Sequence, residues 1–445
     1  MSPAFTPRRL VLAAALALGA LPGAYAQSLQ ELYDTARGYD ATYLAARALA
    51  DSAQYKADQT HALRRPNVGA ALSYGRTTNE TPVSETTNRG PSASLNARQS
   101  LFNRGNDATI SQADLGVDAA KADLAIAEQD LIVRVATAYF DVLAAQDALT
   151  TAQASTKAIS EQLASAKRNF EVGTATITDT REAQARYDLA TAQELAAEND
   201  LLTKRIALDQ LVGRSGVQPK PLAVPVALPP VAPADVNAWV SQAEASPPVR
   251  KARVGYEVAQ LETTKARAGH LPTVELSGSV GQGRTIGQSQ QGPTQTINYR
   301  GDTSQSSVGI TLNLPLFAGF SVQNRVKETL LLEEQSRNNL DAARRSATQA
   351  ARTAYFGTQS LQARVKALEA AESSSQVALD ATQLGYKVGV RVNLDVLNAQ
   401  TQLYSTRRDL ARARYDVLLN ILRLRQTAGQ LSPADVAAVN SLLAK

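Results

Sequence analysis

The chain is written twice, and this constrains its fold more than any other feature. Ala138-Tyr139-Phe140 recurs as Ala354-Tyr355-Phe356, displaced by about 216 positions. At the same displacement Val172-Gly173 returns as Val388-Gly389, Asp179 as Asp395, Ala183-Gln184 as Ala399-Gln400, and Gly213 as Gly429. Earlier in each half the displacement is about 206, matching Ala46-Arg47 to Ala252-Arg253, Pro66 to Pro272 and Val68 to Val274. The difference falls where the second copy carries a longer polar loop. A repeat of about 200 residues is no solenoid unit; it is a duplicated half-protein. The copies occupy 27–216 and 236–430, with a tail over 431–445. Between them, 217–235 carries Pro219, Pro221, Pro225, Pro229, Pro230 and Pro233, a spacing that disfavours helix and predicts an extended connector.

Within each half the hydrophobic period changes in order. Leu131, Val135, Ala138, Val142, Ala145, Leu149, Ala152, Ile159, Leu163, Ala166 and Phe170 keep nearly unbroken 4-3 spacing, the seam of a coiled-coil-like helix. Ala347, Ala351, Ala354, Leu361, Val365, Leu368, Leu379 and Tyr386 keep the same register in the second half. Each helix is predicted to start near Asn106 or Val322 and to run for about 65 residues, or ~95–100 Å. Gly173 and Gly389 end them in tight turns. Shorter antiparallel helices are expected from about Asp179 to Gly213 and from Asp395 to Gly429. Another helix precedes the strands of each half, over about Leu29–Leu63 and Val236–Ala268.

Four segments instead have period two, at about 67–76, 92–101, 273–283 and 306–316. In the first, Val68, Ala70, Leu72 and Tyr74 alternate with Gly69, Ala71, Ser73 and Gly75; in the last, Val308, Ile310, Leu312 and Leu314 alternate with Ser307, Gly309, Thr311 and Asn313. Arg98 and Glu275 fall on the polar sides and are expected to face a lumen, with a place at the barrel rim as the alternative for either. Each segment has about the 9–11 residues of a tilted strand crossing a bilayer. Thr77 to Gly90 and Arg284 to Gln305 read as long polar loops at the tips. Four strands cannot close a barrel that satisfies its own edges, so copies must join.

An export signal fits this reading. Arg8 and Arg9, the apolar stretch from Leu10 to Leu21 and Ala24-Tyr25-Ala26 predict a signal peptide over 1–26 with the mature chain starting at Gln27. The stretch is too short for a membrane helix, so membrane residence requires a barrel. There is no cysteine, which excludes disulfides and thiolate metal sites. His61 and His270 sit at helix-strand junctions as structural residues, and nothing calls for a metal or cofactor. The formal charge of +5 with interspersed signs does not argue for nucleic acid. No phosphate-cradling loop, nucleophile elbow or partnered histidine argues for an enzyme.

The duplication, the strand pair between helices and the two helix turns together resemble the TolC family of outer-membrane channels. Its most specific motifs are Asn169-Phe170-Glu171-Val172-Gly173 with Ala175-Thr176-Ile177-Thr178-Asp179, and Gly385-Tyr386-Lys387-Val388-Gly389 with Asn393-Leu394-Asp395-Val396-Leu397. The resemblance implies an α+β membrane protein: a homotrimeric, twelve-stranded outer-membrane β-barrel embedded in lipid and continued by a periplasmic α-helical barrel. It implies a periplasmic adaptor and an inner-membrane transporter as partners, and polypeptides (type I secretion) or small toxic compounds as cargo. It also implies tip-closing links at Asp179 with Tyr386 and at Thr178 with Arg391. The periplasmic constriction falls at Asp395, where the family's second acidic position is Asn398 in this chain.

Ordinary roles compete with each assignment. Asp179 and Asp395 follow tight turns and could cap the returning helices, Thr178 could be another local cap, Arg391 a solvated loop cation and Tyr386 a seam residue. As whole-chain alternatives, a periplasmic adaptor also carries long antiparallel coils, and a coiled-coil surface adhesin would explain the heptads. Neither duplicates helix-strand-strand-helix.

Overall fold

A computed structural model describes residues 26–444 apart from Val224, Ala227 and 292–294. The signal-peptide assignment therefore lies almost wholly outside the described residues. The chain divides into two compact units that cut across the duplication. One comprises 1–45, 126–246 and 347–445, and the other 46–125 and 247–346.

The helices are shared between the units: residues 247–268 and the first parts of the two long helices fall in the second, and both helix turns fall in the first. α1 (Leu29–Tyr39) leads into α2 (Ala41–His61), which passes to the second unit; α3 (Arg104–Glu171) and α4 (Ile177–Val212) form the first helix hairpin. After the connector come α5 (Val236–Ala243) and α6 (Pro247–Ala268), then the second hairpin, α7 (Ser321–Lys387) and α8 (Asn393–Thr427), and finally α9 (Pro433–Asn440). Most of the seam is buried as its spacing predicts, including Leu131, Val135, Val142, Ile159, Leu163 and Ala166 on α3 and Ala351, Val365 and Leu379 on α7, but Phe170 beside the turn is 42% exposed and Leu149 and Leu361 are only half-buried. Ile159, Leu163 and Ala166 pack against Ala183 and Ala190 of α4 and Leu397 of α8, so the two repeats share one core. Small alanines allow this close approach without voids.

The duplicated Ala-Tyr-Phe motif has a structural use. The Tyr139 hydroxyl donates to the Lys220 carbonyl at 2.9 Å, and the Tyr355 hydroxyl donates to the Ala234 carbonyl. Each repeat thus uses its tyrosine to hold one end of the proline-rich connector. Burial raises the Tyr139 phenol well above its ordinary value, which keeps it a donor. The connector also pairs with segments distant in sequence: Gln27 bridges Pro219, and Leu222 bridges Leu443. The tail is therefore more structured than a tail; α9 starts with a capping box between Ser432 and Asp435.

Two single helices expected from periodicity are broken. The helix over Leu29–Leu63 is interrupted at Asp40 and closes in a 3-10 turn at Ala62–Arg64. Asp40 leaves helical geometry and accepts from the Tyr43 amide at 2.7 Å, an N-cap that starts α2. Its carboxylate, only 8% exposed, also takes both guanidinium nitrogens of Arg134 at 2.8 and 2.9 Å. The helix over Val236–Ala268 breaks after Ala243 because Pro247 and Pro248 suit only the first turn of a new helix.

The second unit contains one antiparallel sheet in the order β1-β2-β3-β4. Its strands are β1 (Asn67–Thr81), β2 (Ser84–Phe102), β3 (Thr273–Gln291) and β4 (Gln295–Asn313). They correct the sequence-based bounds of 67–76, 92–101, 273–283 and 306–316. The expected loops Thr77–Gly90 and Arg284–Gln305 are mostly strand, and β1 turns into β2 within Pro82-Val83. Thr77, Thr78, Thr86 and Thr87 are good strand formers with polar hydroxyls, so the ladder continues where the apolar alternation stops. β4 ends before Pro315, which has no amide hydrogen to pair. No described helix is long and apolar enough to cross a membrane.

The two sheet faces differ in chemistry. Val68, Leu72, Tyr74, Leu95, Val280, Val308, Ile310 and Leu312 share one face and are exposed on it. The other is laced with hydroxyl pairs, Ser73 with Ser92 and Ser279 with Ser307, both at 2.8 Å. Arg98 lies opposite Ser277, and Glu275 opposite Ser100, on that polar face. In the helices beside the sheet His61 sits 2.9 Å from Asp114.

Arg134 holds the Asp40 carboxyl below its ordinary value, so this pair stabilises the fold above the unfolded pKa of ~3.9 and fails as pH falls through the folded one. Asp40→Ala is expected to cost about 2 kcal/mol at pH 7 and much less at pH 2, read as thermal midpoints by circular dichroism. An equal loss at both pH values would show that Asp40 acts only through packing.

Candidate functional site

The two helix turns belong to the same unit and meet. Gly173 and Gly389 have φ of 78° and 82°, the left-handed region that ends a helix at little cost for glycine. Beyond each turn the amides fold back: Thr174 donates to the Asn169 carbonyl at 2.8 Å and Val390 to the Gly385 carbonyl at 2.9 Å. Gly385 makes room for the turn that follows. A Cβ there would lie 2.8 Å from Cγ of Arg391, the next turn's cation.

Two asparagines tie the turns together. Asn169 donates to the Tyr386 hydroxyl at 3.0 Å, and Asn393 donates to the Asp179 carbonyl at 3.3 Å. Asn393, 2% exposed, also accepts from Gln162. Sequence reading missed Asn169, Gln162 and Asn393 as contacts. The signal for Asn169 and Asn393 was their position: each replaces a residue of different chemistry in the other copy, Gly385 and Ile177 respectively.

The equivalent aspartates behave differently. Asp179 completes a capping box with Thr176: its backbone amide donates to Oγ1 at 3.2 Å, and its carboxylate accepts from the Thr176 amide at 3.0 Å. Position 392 of the second copy is Val, which offers no hydroxyl, and α8 has no side-chain cap. Asp395 is therefore uncapped, and its carboxylate instead accepts from Arg391 one turn back at 3.4 Å. Asp395 is 37% and Arg391 62% exposed, so this pair is weak. Asn398 accepts from Arg186 of the first hairpin at 3.1 Å. Among the described contacts of a single chain, Asp179 does not meet Tyr386, and Thr178 is exposed without meeting Arg391. The surface at the turns thus carries one uncapped carboxylate, one loosely held cation and one tyrosine hydroxyl. Such groups can exchange partners at small energetic cost. No group of three or more metal-binding side chains gathers among the described residues.

Comparison with known proteins places this geometry. The family model described as outer membrane efflux protein matches residues 11–214 and 239–430, one stretch per repeat. Outer membrane protein TolC of Escherichia coli (strain K12) is 31% identical over 424 residues, covering 94% of this chain and 86% of the relative. The alkaline protease secretion protein AprF of Pseudomonas aeruginosa is 36% identical over 314 residues, 70% of this chain and 64% of that one. Among solved structures, the outer membrane protein VceC of Vibrio cholerae superposes with a TM-score of 0.76 at 20% identity, covering 90% and 96% of the two chains. CusC gives 0.77 at 18% identity over 91% and 92%. The duplicated hairpins, the membrane-matched sheet and these relatives lead to one conclusion: the chain belongs to the outer membrane efflux protein family and is an outer-membrane export duct.

Proposed function

We propose that three copies close their four-stranded sheets into one twelve-stranded barrel and that the helix turns form its periplasmic gate. The observation that carries this reading is the sheet itself. It has four strands, an apolar outer face and two open edges at β1 and β4. Unpaired strand edges are not tolerated in lipid, so only further copies can complete it. Apolar side chains left exposed on α4, Leu195, Leu202 and Ile206, supply a matching surface for neighbouring coils. The duct takes its cargo from an inner-membrane transporter through a periplasmic adaptor. The likeness to a protease secretion protein supports polypeptides as cargo, with small toxic compounds as a second class.

In the closed state Tyr386 and Arg391 reach the Asp179 and Thr178 positions of neighbouring coils. Each link is worth ~1.5–3 kcal/mol where charged and less where neutral. Asp395 of each copy forms the constriction, while Asn398 leaves the second ring of the family uncharged. Two carboxylates ~6 Å apart at an effective dielectric near 20 repel by ~3 kcal/mol, which favours a bound cation. Docking of the partners opens the tip by binding the open form better.

Single-channel conductance in a planar bilayer tests the gate. Wild type is expected to conduct poorly and Tyr386→Phe/Arg391→Ser severalfold more. A large conductance in both would remove the lock, and no channel from a folded trimer would overturn the duct architecture. Asp395→Ala is expected to lower cation preference and block by hexaamminecobalt(III); a constriction elsewhere leaves both unchanged. Val392→Thr restores the missing cap partner, so it should stabilise α8 by about 1 kcal/mol. By drawing Asp395 into a capping box it should also weaken the same block, measured by the same titration.

A further inference from the structure

On β1 and β2 one face of the sheet is apolar from Val68 and Ala97 up to Tyr74 and Pro91, while on β3 and β4 Gln282, Ser304 and Ser306 already interrupt it; above this level a row of arginines begins. Strand pairing puts Arg76 of β1 directly opposite Arg89 of β2, Arg89 opposite Ile286 of β3, and Ile286 opposite Arg300 of β4. This row crosses the whole sheet. By alternation it lies on the same face as Val68, Leu72, Tyr74, Leu95 and Val308. All three arginines are exposed, and among the described residues none is in an ion pair. Neighbouring strands lie ~4.8 Å apart, so Arg76 and Arg89 form a like-charged cross-strand pair, which is destabilising unless an anion sits beside it.

The height of the row is set by the bilayer. From the lowest outward pair, Val274 with Leu312, to the pair Arg284 with Asp302 is a run of ten residues on each strand. At ~3.4 Å per residue and a tilt of ~40°, that run rises ~26 Å, close to the ~25 Å apolar band of a membrane barrel. The arginine row begins one step above and, crossing strands tilted by ~40°, climbs ~9 Å from one edge of the sheet to the other, through the layer of lipid headgroups. Directly beneath it an open groove of about 890 Å³ is apolar on its β1–β2 side, at Leu72, Tyr74 and Ala93, and polar on its β3–β4 side, at Gln282, Asp302 and Ser304. Arg284 is held by Asp302 at 2.7 Å, so that pair contributes little net charge. Glu80 and Glu85, opposite each other on the same face, stand four residues further along, ~14 Å away and beyond the ~8 Å screening length of physiological salt.

We propose that Arg76, Arg89 and Arg300 bind the phosphate groups of a phosphorylated glycolipid of the outer leaflet, with its acyl chains lying along the apolar side of the groove and the apolar face below. Arginine suits this role because its fork meets phosphate oxygens in pairs. A lipid bridging β2 and β4 also clamps the four strands at the height where the apolar face ends. The inference rests on the placement of the hairpin tips outside the outer membrane and requires nothing of the gate.

The test uses the purified full chain in dodecylmaltoside micelles, titrated with bisphosphoryl lipid A, its monophosphoryl form and phosphatidylglycerol. The thermal midpoint is the readout. Bisphosphoryl lipid A is expected to raise the midpoint with at least tenfold higher apparent affinity than the other two. Arg76→Ser/Arg89→Ser/Arg300→Ser should lose that preference, whereas Arg98→Ser on the polar face should keep it. Equal affinities for all three lipids, or an unchanged preference in the triple variant, would overturn the proposal. If the triple variant does not assemble, Arg300→Ser alone and a salt titration of wild type decide: affinity should fall severalfold in each, and no change in both would overturn it. Conductance of the assembled triple variant should match wild type, which separates failure of lipid binding from failure of the duct.

Discussion

Everything in this chain answers to the unpaired backbone at the edges of a four-stranded sheet. β1 and β4 each present a ladder of amides and carbonyls with no partner in the same chain. In water such an edge invites aggregation, and in lipid it costs several kcal/mol for every group left bare. The sheet is therefore the part of the molecule that demands association, and the helices supply a body on which association can be ordered. Much of their 4-3 seam is buried within the chain.

Duplication gave two copies of each device and divergence gave them different tasks. Thr176 locks Asp179 into a cap; Val392 cannot, and the same aspartate in the second copy is released toward Arg391. One missing hydroxyl converts a structural carboxylate into an available one. Asn169 and Asn393 show the complementary change, because each reaches across to the other turn instead of repeating its counterpart. The Ala-Tyr-Phe motif was conserved in use as well as in sequence: both tyrosines hold the connector.

The sequence reveals most where a single period governs a long stretch. The 4-3 seam could be read because most seam positions answer to one burial surface, and the turn glycines because only glycine takes their φ cheaply. Asp40 escaped notice because its cap competes with a helix of good propensity on either side, and only Arg134, far along the chain, makes the break worthwhile. The strand tips escaped because both their faces are polar; threonine-rich ladders carry no apolar alternation to count. At the site, the residue types and their duplication were readable, but the division of labour between Asp179 and Asp395 depended on a neighbour three positions away in each case.

The two compact units each draw on both repeats, and this bears on how such a molecule can be inherited. A gene encoding one repeat would specify two strands and one helix hairpin, none of it able to finish a core alone. An assembly of identical single repeats would have to keep every turn symmetric and every aspartate in the same state. Carrying both repeats on one chain permits the two turns to differ. The asymmetry of Thr176 and Val392 is a mutation that a strictly symmetric ancestor could express only at all positions or at none.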